Sequence, residues 1–190
     1  MHEKLADSFD ITFLAAFKLL IDLDTLINNP FEEITIDNVS VNGTVDPRFA
    51  EARLVGLEML GANGRWQAVA RRRPLQLVAG SDVFLRAVLK PIRSTRLTRV
   101  QLSFTVPSRP GREGTLAISA GLNFFEEPNA GTRDFADLVA QVDRAPTGDT
   151  LRAELRLFGT PRITREARAI APTAVTGGLG FDVQVVRPGA

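Results

Sequence analysis

The hydrophobic and polar positions of this chain change period once, early, and that change divides it. From Ile11 to Ile27 the residues are mostly apolar and follow a helical spacing. Phe13, Phe17, Leu20 and Ile27 share one face, which Leu14, Ile21 and Leu23 widen. Lys18, Asp22, Thr25 and Asn29 make a narrow polar stripe. Ser8 or Asp10 can cap the first turn, and Asn28-Asn29-Pro30 ends the helix. A helix this apolar has to be covered by protein: its own domain, a neighbouring one or a second copy.

After Pro30 the period becomes two. Ile34 and Ile36 alternate with Thr35 and Asp37, and Val39, Val41 and Val45 continue in the other phase. The slip at Asn38 predicts a bulge or a change of strand. Ala52–Leu60, the turn Ala62-Asn63-Gly64 and Arg65–Ala70 read as a hairpin. Further strands are expected at Val83–Leu89, Val100–Val106, Thr115–Ala120, Leu151–Leu157 and Phe181–Val186. One helix interrupts them near 132–144, where Phe135, Leu138, Val139 and Val142 fall on one face behind a Thr132 cap. Gly159–Gly180 reads as loop with one short element.

Short strands separated by turn chemistry predict a mainly β fold, an immunoglobulin-like antiparallel β-sandwich with an N-terminal helix and one inserted helix. Residues 1–30 are expected to form a helical segment packing on a sandwich of residues 31–190. At 190 residues and 20.7 kDa the chain can bury a sizeable core without a disulfide or metal staple.

Composition removes several chemistries. There is no cysteine, so disulfides, cysteine-ligated metals and thiol catalysis are excluded, and the only histidine is His2. The 23 basic and 22 acidic residues nearly cancel, which argues against a global field for nucleic acid. The opening residues MHEKLADSFD do not resemble a secretion signal. Lys18, Asp22 and Asp24 interrupt the apolar helix, so no membrane span is expected.

Motifs that carry catalysis are missing: there is no G-x-S-x-G elbow, P-loop, G-x-G-x-x-G or H-E-x-x-H. Asp7, Asp10, Asp22 and Asp24 lack the spacing of a calcium loop. Glu32-Glu33 and Glu126-Glu127 are neighbours in sequence, and adjacent strand residues point to opposite faces, so neither pair makes an acid–base site by itself. Arg71-Arg72-Arg73 is the one basic run and could meet an anionic partner, or could simply guard a sheet edge. Asn38-Val39-Ser40 and Asn42-Gly43-Thr44 match the glycosylation sequon by chance. Trp66, the only tryptophan, reads as a half-buried edge residue.

The order of several short motifs resembles the region downstream of the catalytic domain in bacterial SpoIVB-type serine peptidases. It begins with Leu26-Ile27-Asn28-Asn29-Pro30-Phe31-Glu32, Ile34-x-Ile36 and Val39-x-Val41. Ala52-Arg53-Leu54, Leu89-Lys90-Pro91-Ile92-Arg93, Val106-Pro107 and Gly114-Thr115-Leu116-Ala117-Ile118 follow in the same order. Phe135-Ala136-Asp137-Leu138 and Leu151-Arg152-Ala153-Glu154-Leu155 complete the match, over roughly residues 9–158. The family's Gly-Met-Ser-Gly-Ser-Pro-like nucleophile segment does not occur here, so no catalytic residue carries over.

The resemblance implies a non-catalytic accessory domain that meets a peptidase domain or another protein; from composition and motifs, no cofactor and no metal are expected. The resemblance also implies an envelope or extracellular setting. The candidate contact residues are Phe13, Phe17, Leu20 and Ile27 on the helix, and Arg71, Arg72 and Arg73. A homodimer through the N-terminal helix, a carbohydrate- or surface-binding module and a small acidic-site hydrolase remain as alternatives.

Overall fold

The computed structural model describes residues 11–42, 51–108, 111–120, 132–143, 147–159 and 163–187, with side chains from Ala16 onward. The possible caps Ser8 and Asp10, the Glu126-Glu127 pair and the side chain of Phe13 lie outside the described residues.

Chain order runs α1 (Ile11–Ile27), β1 (Glu51–Leu60), β2 (Trp66–Ala68), β3 (Leu75–Val78), β4 (Asp82–Pro91) and β5 (Thr98–Thr105). It continues through β6 (Glu113–Ala120), α2 (Phe135–Asp143), β7 (Thr150–Leu157), β8 (Ile163–Ile170), β9 (Ala174–Thr176) and β10 (Gly178–Val186). Two five-stranded sheets pack face to face, so the expected β-sandwich with two helices is present. The first sheet runs β2-β1-β4-β5, with β9 also pairing β1; the second runs β3-β10-β6-β7-β8. Most pairs are antiparallel, while β1 with β9 and β10 with β3 are parallel. The β5 and β8 edges approach each other across the sandwich.

The core follows from alternation. Leu85, Ala87 and Leu89 of β4 point inward, as do Leu116 and Ile118 of β6 and Leu151, Ala153, Leu155 and Leu157 of β7. These side chains join one cluster that spans both sheets. Each fully buried leucine contributes roughly 1.5–3 kcal/mol relative to exposure. The β1–β2 hairpin turns at Gly64, whose φ of 72° suits glycine. Asn63 Oδ1 accepts the Arg65 N–H there at 3.0 Å.

Four expectations are corrected. Residues 31–42 form no strand: alternation supplies a face, but no neighbouring strand supplies a ladder. The bulge lies instead in β1, where the register against β4 shifts between Leu54 and Gly56. Gly159–Gly180 holds two strands, β8 and β9, and the start of β10 rather than loop with one short element. On α2 the cap is Asp134, whose Oδ1 accepts the Asp137 N–H at 2.7 Å, in place of Thr132.

Candidate interaction surfaces

The helix end that carries the Asn-Asn-Pro-Phe-Glu box is organised by one side chain. Asn29 Nδ2 donates to the carbonyls of Leu26 (2.8 Å) and Glu32 (2.9 Å). Its Oδ1 accepts the N–H groups of Phe31 and Glu32, both at 2.9 Å. Helix stop and chain reversal therefore share one asparagine.

The polar stripe of α1 faces the protein, which reverses the expected orientation. Lys18 and Asp22 are buried and ion-paired, and Thr25 and Asn29 are half-buried. The opposite face carries the large apolar groups: Phe17, Leu20 and Ile27 are 40%, 63% and 53% exposed. These three fall within about 80° of arc and along about 15 Å of helix, with exposed Asp24 among them. Burial of the ion pair fixes this rotation, because rolling the helix to cover Phe17 would uncover Lys18. Leu26 meets Ala136, Val139, Ala140, Val142 and Asp143 of α2 around a shallow apolar cleft of about 480 Å³.

The predicted basic run stands apart from this ridge. Arg71, Arg72 and Arg73 are exposed in the loop that takes the chain from β2 in the first sheet to β3 in the second.

Sequence reasoning missed the outer face of the first sheet. Arg86 stacks on Trp66, with its guanidinium carbon 3.8 Å from the ring centroid. Trp66 is half-buried at this edge, as expected, and Phe84, on β4 across β1 from it, is 37% exposed. Arg99 Nε donates to both carboxylate oxygens of Glu58 at 3.1 Å. Arg53 of β1 stands directly opposite Lys90 of β4, both exposed. Neither makes a hydrogen bond or ion pair with a described residue, and like charges in direct opposition destabilise a sheet by roughly 0.2–1 kcal/mol.

The second sheet handles the same problem differently. Glu154 faces Glu166 and Arg152 faces Arg168 across β7 and β8. Arg152 reaches Glu166 at 2.8 Å and Glu154 at 3.7 Å, while Arg156 pairs with Glu154 and Arg168 with Glu166. The hydrogen bond to Glu154, and then its charge, raise the Arg156 pKa above the ordinary arginine value. Arg133 is raised likewise, first by its hydrogen bond to Asp137 and then by the charges of Asp137 and Asp134. Both stay cationic at any physiological pH.

Charge is also segregated along the chain. Residues 51–106, which supply β1 to β5, hold ten Arg and Lys against three Asp and Glu. Residues 1–50 hold nine Asp and Glu against three Arg and Lys. The near-neutral total conceals an acidic N-terminal portion and a basic stretch whose excess lies in loops, since the strands of the first sheet carry Arg53, Arg86, Lys90 and Arg99 against Glu51, Glu58 and Asp82.

Among the described residues no helix is long and apolar enough to cross a membrane, and no group of three or more His, Cys, Asp or Glu could hold a metal ion. Comparison with family models, curated proteins and solved structures gives no match for this chain.

Proposed function

We propose that this chain is a non-catalytic interaction domain that docks on a partner protein through the outward ridge of α1. The observation that carries the reading is the rotation of that helix: Lys18 and Asp22 are buried while Phe17, Leu20 and Ile27 face solvent. Large apolar side chains gathered on one exposed helix face are a common mark of a protein-binding surface. Motif order suggests a SpoIVB-type serine peptidase domain as the partner, with the chain acting beside it as an immunoglobulin-like accessory sandwich in the cell envelope.

A photo-crosslinking side chain placed at Leu20 or Ile27 of the full chain in its native host tests this. Both helix positions are expected to give an adduct with one discrete protein. A probe at Ile170, which is 63% exposed on β8, is expected to give none. Absence of any adduct from both helix positions overturns the reading.

A surface-binding module is the second reading, and Trp66 and Phe84 on the outer face of the first sheet favour it. That reading predicts that a ligand quenches or shifts the fluorescence of Trp66, the single tryptophan.

A further inference from the structure

We propose that the outer face of the first sheet is the docking surface for the acidic extended segment Phe31–Asn42 of a second copy of this chain. The inference uses different residues from the ridge of α1 and stands independently of what that ridge meets.

Three observations carry it. The first is the opposition of Arg53 and Lys90, two exposed cations side by side with no anion supplied by the described residues. The equivalent clash on the second sheet is relieved by diagonal partners, Arg152 with Glu166 among them. On the first sheet the same-face carboxylate two residues before Arg53, Glu51, accepts from Thr176 instead, which leaves both cations to solvent or to a docking anion.

The second is the segment itself. Residues 32–42 lie outside any helix or strand and have no ladder partner, while Ile34, Thr35, Ile36 and Asp37 keep a strand-like alternation. Glu32, Glu33 and Asp37 are exposed, and Val39 and Val41 are 44% and 70% exposed. Acidic and apolar groups thus stand ready on one short stretch. The receiving face offers the matching set, with cations at Arg53 and Lys90 and apolar surface at Phe84 and Val55.

The third is reach and charge. Phe84 to Lys90 spans about 20 Å along β4, and ten extended residues cover about 33 Å. The segment carries Glu32, Glu33 and Asp37 and no cation, so it is attracted to the paired Arg53 and Lys90 when two copies meet. In the single chain the acidic groups of the segment remain in solvent rather than on its own sheet, which leaves a second copy as the occupant. Reciprocal exchange between two copies closes with two-fold symmetry.

Charge exchange tests this on the full chain by sedimentation velocity across a concentration series. Wild type is expected to dimerise at low salt and to dissociate as salt is raised. Arg53→Glu with Lys90→Glu, and separately Glu33→Lys with Asp37→Lys, are each expected to weaken self-association by about tenfold or more. Mixed in equal amounts, the two variants restore both contacts and are expected to form a heterodimer. That recovery also shows that each variant is folded. A wild type that stays monomeric at every concentration overturns the proposal, as does a dimer indifferent to both variants. A concentration-independent compaction lost in the variants also overturns it, because the segment would then lie on its own sheet.

Discussion

Lys18 and Asp22 stand one turn apart on α1 and pair at 2.5 Å, with side chains only 10% and 8% exposed. Their order along the helix, cation before anion, is the less favourable one for an exposed pair. Their burial, rather than their sequence order, is what makes the pair count. Removing one partner of a buried pair leaves a desolvated charge and typically costs about 3–5 kcal/mol. Asp22→Ala is therefore expected to unfold at markedly lower urea and to lose amide protection across α1. Replacing both residues, Lys18→Met with Asp22→Leu, is expected to recover most of that loss. If Asp22→Ala unfolds like wild type, the pair does not hold the helix in its seat.

Arg86 over Trp66 gives a second, optically visible contact. A cation stacked on an indole at a partly exposed site contributes about 0.5–1 kcal/mol. Arg86→Met keeps much of the stem packing and removes the charge. It is expected to shift the single tryptophan's emission while lowering stability by no more than about that amount. Unchanged emission in Arg86→Met places the guanidinium off the ring in solution.

Two glycines permit close backbone approach between strands. A Cβ at Gly114 would sit 2.2 Å from the Arg156 carbonyl oxygen, and one at Gly111 would sit 1.6 Å from that of Phe158. Neither neighbour is a flexible side-chain tip, so the sheet has to move. Gly114→Ala and Gly111→Ala are each expected to cost about 1–3 kcal/mol in chemical denaturation. Gly180→Ala is the control, since a Cβ there meets nothing within 4 Å. Alanine at that strand position is expected to be neutral or stabilising by up to about 1 kcal/mol.

How far these features could be read in the sequence depends on what each one needs. Strands β5 and β7 were legible because Val100, Leu102 and Phe104, or Leu151, Ala153 and Leu155, alternate cleanly with polar residues. Strand β8 was not, because its inward row is Ile163, Arg165, Ala167 and Ala169, with a cation and two small residues where large apolar groups would signal a core. Ile34 and Ile36 carried the right period without a neighbouring strand to pair with. For α1, hydropathy revealed an amphipathic helix but not which side was covered. Covering the polar side needs the Lys18–Asp22 pair, and no hydropathy scale counts a pair. The opposition of Arg53 and Lys90 arises only from the register of β1 on β4, with a bulge between, so no local pattern could have announced it.

The turn before β7 offers the last test, because it ties the parallel strand β9 to the rest. Asp149 is 2% exposed, and its carboxylate accepts a hydrogen bond from the Thr147 hydroxyl. The Thr147 N–H donates to Thr150 Oγ1 at 3.0 Å, and the Thr150 N–H donates back to the Thr147 carbonyl at 2.8 Å. Carbonyls of the same turn reach forward along the chain. Asp149 O accepts from Ala171 N and Gly148 O from Val175 N, both at 2.8 Å. Losing the carboxylate removes a buried acceptor and leaves its donors without it, a change that costs about 1–3 kcal/mol. Because β9 has only three residues on β1, this loosening should appear there before it appears in the core. Asp149→Ala is therefore expected to speed hydrogen exchange at Ala171 and Val175 at least tenfold, by about the 1.4 kcal/mol that a factor of ten represents. Amides of β6 and β7 at the sandwich centre should change only by the global loss of stability. A uniform change across all strands would mean that Asp149 supports the whole core rather than the attachment of β9.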